Sequence, residues 1–393
     1  MKKIMINYFM AAMLFSMAFA GCDEQPITNG ENPVITLNKE KLNINVSHQD
    51  TIIATVTPHS DTAVVWSSSD ESIATVFYGI VTAKFPGTCD IIATCGSVSA
   101  TCAVHVYPTG VDPNDSIVDD LDGYTLFWSD EFNNGALNSS IWNMEINGNG
   151  GGNNELEYYT NRPQNVSVGT DPETGEGCMI LTAIKENYSG KTCTSGRVNT
   201  RDKFSFEHGL IEARIKIPYT ADGLWPAFWM MGADYGQVGW PRCGEIDIME
   251  MGSSTGIHNG TQDRYFGGWM HWGIVTNGNH PNSGRAITNS YSVQGSYHTF
   301  RMYWDESQVK MYLDKDIYPS VQPYMTMNIP ASDDDAAPGK YFHKPFFIIF
   351  NLAVGGNYTG ISDINNITAL NADNNYTSSF YIDYVRVYQK NDN

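Results

Sequence analysis

Gly209-Leu210-Ile211-Glu212-Ala213-Arg214-Ile215-Lys216-Ile217 alternates apolar with polar side chains and stops at Pro218. A period of two marks a half-buried strand, because successive side chains point to opposite faces. Tyr381-Ile382-Asp383-Tyr384-Val385-Arg386-Val387-Tyr388 alternates in the same way. Phe346-Phe347-Ile348-Ile349-Phe350-Asn351-Leu352 is almost wholly apolar, as a strand covered on both faces would be. No long amphipathic helix interrupts this pattern. Residues 123–393 therefore read as one all-β unit, a sandwich of two large sheets.

Working outward, the strands before residue 108 are shorter. Apolar-alternating runs recur at 34–37, 42–46, 51–56, 64–66, 91–94 and 103–106, with turns such as Pro58-His59-Ser60-Asp61 between them. Several strands in so short a span describe a small β-sandwich at 33–107. Trp66-Ser67-Ser68-Ser69-Asp70, Ile73-Ala74-Thr75-Val76 and Gly79-Ile80-Val81-Thr82-Ala83 resemble the bacterial immunoglobulin-like group 2 domain. No acids or histidines converge there, so a spacer is the favoured reading and a carbohydrate-binding module the alternative. Residues 108–122 hold five Asp and no basic residue, which reads as an acidic linker.

The N-terminus points to export. Lys2 and Lys3 precede a largely apolar run at 8–19, then Ala20-Gly21-Cys22. A basic start, a short apolar stretch and small residues describe a signal segment at 1–21. Phe19-Ala20-Gly21-Cys22 resembles a lipobox, implying a lipidated Cys22 with residues 22–32 as a tether. Simple cleavage at Ala20, leaving an ordinary thiol, is the alternative. The expected location is a lipid anchor at the bacterial outer membrane, facing the cell surface, where Asp23-Glu24 resembles a surface-sorting tag. Six further cysteines, Cys89, Cys95, Cys102, Cys178, Cys193 and Cys243, are open to disulfides or to burial as thiols.

Charge narrows the partners. The 393 residues carry 23 Lys and Arg against 43 Asp and Glu, a formal charge of −20. Nucleic acid is excluded, since phosphate binding needs a positive field, and anionic polysaccharides are disfavoured for the same reason. A neutral ligand and a monomeric protein are expected.

The chemistry sits in Gly244-Glu245-Ile246-Asp247-Ile248-Met249-Glu250. On a strand Glu245 and Asp247 share a face, whereas strict alternation turns Glu250 away. One extra residue, a β-bulge around Ile248-Met249, brings Glu250 back beside the other two. The outer Cα atoms are then about 13 Å apart, and inward-leaning side chains close the carboxyls to about 5–6 Å. That spacing suits a retaining glycosidase. A calcium site or a solvated strip are the alternatives, but a strip does not suit a strand carrying three aliphatic side chains. Leu224-Trp225-Pro226-Ala227-Phe228-Trp229-Met230, Trp240 and Met270-His271-Trp272 add large aromatics. Indole faces stack on sugar rings, so this group reads as the lining of a sugar cleft.

These stretches, with Trp128-Ser129-Asp130-Glu131-Phe132, Gly152-Asn153-Asn154-Glu155-Leu156-Glu157-Tyr158-Tyr159-Thr160, Ser195-Gly196-Arg197-Val198-Asn199-Thr200 and Asn351-Leu352-Ala353-Val354-Gly355-Gly356, resemble glycoside hydrolase family 16 in its laminarinase-like branch. The resemblance implies a β-jelly-roll with an open concave cleft that cuts within a polymer. By position, Glu245 resembles the nucleophile, Asp247 the residue that orients it, and Glu250 the acid/base. Asn153, Arg197, Trp225, Trp229, Trp240 and His271 resemble the substrate-binding residues. The resemblance implies no metal or other cofactor for catalysis. Asp383 resembles a ligand of a structural calcium, with an ordinary outward-facing Asp as the equal alternative.

Met251-Gly252-Ser253-Ser254 and residues 276–285 depart from that pattern, and they border the cleft. β-1,3-glucan is the first expected substrate and mixed β-1,3/1,4-glucan the second. A non-catalytic glucan-binding lipoprotein is the competing reading, but it has no use for Glu245 and Glu250 together.

Overall fold

The alternating stretch at 209–217 forms the strand Gly209–Lys216, paired antiparallel with Tyr297–Trp304 on one side and Thr377–Lys390 on the other. The computed structural model describes residues 33–58, 62–84, 87–107, 123–133 and 135–390. The expected signal segment, Cys22, the tether and the linker at 108–122 lie outside the described residues.

Among the described residues the C-terminal unit holds a ten-stranded and a seven-stranded sheet. The seven strands, labelled along the chain, are β1 (Asn143–Met144), β2 (Arg197–Asn199), β3 (Leu224–Gly232), β4 (Glu245–Met251), β5 (Tyr265–His271), β6 (Asn282–Thr288) and β7 (Phe346–Val354). Their spatial order is β1-β2-β7-β3-β4-β5-β6, all antiparallel. The expected two-sheet sandwich is present, and its few helices are short.

Alternation divides each central strand between two environments. Phe228 and Met230 of β3 and Phe346, Ile348 and Phe350 of β7 enter the core, against Ile211, Phe300, Val385 and Val387 of the opposite sheet. Each such side chain contributes roughly 2 kcal/mol by leaving water. The other face of β3 and β7 packs Ala227, Trp229, Met231, Phe347 and Ile349 into a smaller cluster with Cys243. This second face explains why 346–352 has almost no polar residue: it floors a cleft.

In the N-terminal unit Leu42, Ile44, Val81, Ile91, Val104 and Val106 form a separate core, and the runs expected at 91–94 and 103–106 extend into longer strands, Gly87–Cys95 and Val98–Tyr107. The expected strand at 51–56 is corrected. The chain breaks at Ile52-Ile53, with Gln49–Thr51 in one sheet and Ala54–Thr57 in another. Ile52 is buried and its N–H bonds to the Gly79 carbonyl, so the chain changes sheets there. Cys89, Cys95, Cys102, Cys178, Cys193 and Cys243 are all buried free thiols, which settles the open choice against bridges.

Candidate active site

β4 is bounded by two glycines that the backbone requires. Gly244 has φ +76°, and a Cβ on it would lie 2.9 Å from the Phe346 ring. Gly252 has φ +100°, and a Cβ there would lie 1.9 Å from the Leu224 carbonyl oxygen. Between them β4 carries the expected irregularity. Asp247 pairs with Trp229 and Met249 with Phe228, so Ile248 is the extra residue in the β3–β4 ladder. Ile248 and Met249 both point into the core. Glu245, Asp247 and Glu250 consequently line one cleft of about 790 Å³. Alternation alone would have buried Glu250 beneath the sheet.

The indoles hold the acids by their edges. Trp225 Nε1 donates to Glu250 Oε1 at 2.9 Å, and Trp240 Nε1 donates to Glu245 Oε2 at 3.0 Å. Trp229 Nε1 donates to Asn351 Oδ1 at 2.7 Å, and the Arg197 guanidinium lies 4.9 Å above the Trp229 ring. The expectation that these tryptophans serve as sugar platforms is therefore corrected in part. Trp225 and Trp229 are each only 9% exposed, and Trp225 stacks on Tyr358, whereas Trp240 is 44% exposed. Trp272 belongs to the core, with its N–H on the Ala336 carbonyl.

Arg197 lines the cleft from β2 and pairs with Glu145 at 3.0 Å, and Asn153 lines it from the loop before Glu155. His271, at the end of β5, is the cross-strand partner of Glu245. Its Nε2 lies 3.5 Å from Asp247 Oδ2 and 3.9 Å from Glu245 Oε1. All nine expected catalytic and substrate-binding residues thus gather at this cleft.

Burial governs the electrostatics. Glu245 is pushed up to about 8, first by desolvation and then by Asp247, while His271, the Trp240 N–H and Arg197 pull it back. Asp247 is held well above the usual carboxylate range by burial. Glu250 is also pushed well above it, by burial and then by the charges of both Asp247 and Glu245. The repulsion among the three is mutual, so ionising one carboxyl raises the proton affinity of the others.

Several residues here had no assigned role. Glu155 lines the cleft and accepts a hydrogen bond from the Tyr159 hydroxyl at 3.0 Å. Glu157 is 1% exposed, accepts the Val354 N–H at 2.7 Å, and is raised by burial and by Glu155. Both lie in a stretch singled out above, so the signal was present without its meaning. Asn351 opens another of those stretches, whereas Glu145 carries no motif, and only its place after β1 beside Arg197 brings it in.

Asp383 lies far from this chemistry, on the opposite sheet. Its Oδ2 accepts from Arg214 Nη1 at 2.6 Å, and the same nitrogen binds Glu176 Oε2 at 2.7 Å. One guanidinium thus ties both carboxylates into an ion-pair network, in keeping with the reading of Asp383 as an ordinary strand Asp.

Residues 33–106 match the bacterial Ig-like domain (group 2), and residues 137–336 match the family described as glycosyl hydrolases family 16. Glucan endo-1,3-beta-glucosidase A1 of Niallia circulans is 34% identical over 285 residues, 68% of this chain and 38% of that protein. The chain thus spans well under half the length of that curated relative. The beta-glucanase of Rhodothermus marinus is 32% identical over 270 residues, 68% of this chain and 85% of its own length. A Bacteroides ovatus family 16 structure from a mixed-linkage glucan locus, in complex with a G4G4G3G product, is 39% identical with a TM-score of 0.56, covering 66% of this chain and 99% of its own. Together with the two-sheet fold and the acid-lined cleft, these matches place the C-terminal unit among glycoside hydrolase jelly-rolls: the chain belongs to glycosyl hydrolases family 16.

Proposed function

We propose that this protein is a retaining endo-β-glucanase, with Glu245 as nucleophile, Glu250 as acid/base and Asp247 as the residue that orients Glu245. The observation that carries this reading is the bulge at Ile248, which gathers three carboxyls, Asp247 buried and Glu245 and Glu250 half-buried, at one cleft. Such a cluster costs stability unless it serves chemistry, and a surface that only binds glucan has no need of it. Glu250 gives its proton to the departing glycosidic oxygen while a Glu245 oxygen bonds to C1. The ester that forms removes the charge on Glu245, which lowers the proton affinity of Glu250. Glu250 then takes a proton from water, the water oxygen bonds to C1, and Glu245 leaves as a carboxylate. Two inversions give net retention, and the chain's own residues suffice for each step.

The first substrate is β-1,3-glucan, in keeping with the activity named for the Niallia circulans relative. Mixed β-1,3/1,4-glucan is the second, favoured by the product in the Bacteroides ovatus structure. Asn153, Arg197 and the exposed Trp240 would bind the chain, with Trp225 fixing Glu250 and Trp229 fixing Asn351. Cys22 is the proposed lipid anchor, holding a monomer at the outer surface, with 33–107 as spacer. Incubation with laminarin, curdlan, lichenan and barley β-glucan, followed by assay of new reducing ends, tests the reading. New ends on laminarin with a rapid fall in viscosity are expected. Glucan binding without new ends would leave a binding protein instead.

A further inference from the structure

His280 stands outside the motif that carries the acids, in the segment joining β5 to β6. That segment folds back on itself, with the Trp272 backbone N–H on the Pro281 carbonyl and a bridge between Thr276 and Asn279. His271 and Asn282 are cross-strand partners, so His280 arrives beside His271. Its Nε2 lies 2.9 Å from His271 Nδ1, and its ring meets the Trp240 indole edge-on at 4.6 Å. His271 and Trp240 are the two side chains that in turn touch Glu245. One imidazole thus supports both.

The contact also fixes where the His271 hydrogen sits. Nε2 of His271 faces Asp247 Oδ2 at 3.5 Å and Glu245 Oε1 at 3.9 Å. A lone pair there would be repelled by an ionised Glu245, the form a nucleophile needs, so the tautomer that suits the reaction has hydrogen on Nε2. In a neutral His271 the lone pair is then on Nδ1, and the 2.9 Å contact requires His280 to donate from Nε2. If His271 gains a second proton, Nδ1 donates and His280 accepts in its other tautomer. A neutral imidazole can do both, whereas a hydrophobic side chain can do neither.

Resting on the reading of Glu245 as nucleophile, we propose that His280 is a positioning residue: it locks His271 with Nε2–H toward the acids and steadies Trp240 against Glu245. The groups facing this pair are His271, Glu245 and Asp247, with Trp240 packed on the ring; Glu250 lies further along β4.

Two variants separate the parts of the claim. His280→Gln keeps a group that donates or accepts, and His280→Phe keeps a ring against Trp240 but has no polar atom. Long-range proton–nitrogen NMR reads the His271 tautomer without any substrate. We expect hydrogen on Nε2 in the wild type and in H280Q, and a mixed tautomer in H280F. In the pH profile of kcat/KM, H280F should move the acid limb upward by roughly half a unit to one unit, because the Glu245 carboxylate loses the N–H edge that faces it. H280Q should restore the limb to within a few tenths of a unit. An unchanged tautomer and limb in H280F would overturn the proposal, as would an equal loss in both variants. Absence of hydrolysis in the wild type would sink the enzymatic reading alone, since the tautomer is still measured.

Discussion

A carboxyl that must be ionised to attack C1 and one that must hold a proton share a strand, and each takes one indole N–H. Their roles predict different losses. Glu245→Ala removes the atom that bonds to C1, so hydrolysis should collapse on polymer and activated glycoside alike. Glu250→Ala removes only the proton donor and later base, so a dinitrophenyl glycoside should still form the ester. Azide needs no base and should then release a β-glycosyl azide, detected by mass and NMR. An α-glycosyl azide from Glu245→Ala would reverse the two roles. The burial of Glu245 has a second consequence. With its pKa at about 8 when folded and about 4.5 when unfolded, the native state binds more protons across that window. Stability therefore falls as pH rises from about 4.5 to 8, by an amount on the order of a few kcal/mol. Glu245→Gln, which keeps an acceptor for Trp240, should melt higher than wild type at pH 8 and lose much of the slope. Parallel melting curves from pH 5 to 8 for the two proteins would contradict this account.

At the scale of a strand, the site depends on one extra residue and on how β4 is tied at its ends. Gly252→Ala forces a Cβ to within 1.9 Å of the Leu224 carbonyl oxygen at φ +100°. It should cost about 3 kcal/mol or more in denaturant unfolding, and an unchanged midpoint would show that the loop yields freely. The bulge itself was legible in the sequence, because Glu245, Asp247 and Glu250 make sense on one face only if a residue is inserted. The strands at 209–217 and 346–352 were legible from their period and their apolar run. What the tryptophans do was not legible. Composition says that an indole is present, but not whether it offers its face to sugar or its N–H to a carboxylate, and tertiary packing chose the second for Trp225. Asp383 stayed open between two readings for a related reason. A lone strand carboxylate looks the same whether calcium or Arg214 neutralises it, and Arg214 is far away in sequence. His280 had no motif, since its partners come from the fold of the β5–β6 connection.

For the whole molecule, 33–107 and 123–390 have separate cores, and they touch where the Tyr318 hydroxyl donates to the Val106 carbonyl. Residues 123–393 alone should keep full activity on soluble glucan. Loss of activity by a folded fragment would give the N-terminal unit a part in catalysis. The formal charge of −20 should make sulfated galactans poor ligands, with any binding strengthened by added salt as repulsion is screened. The central claim is that two carboxyls, brought to one face by a bulge, cut β-glucan in two displacements. Proton NMR of the first products from laminarin tests it most directly, before mutarotation scrambles the anomers. The account predicts the β anomer first, with α appearing only later; α as the first product would mean direct attack by water and would contradict Glu245 as the nucleophile.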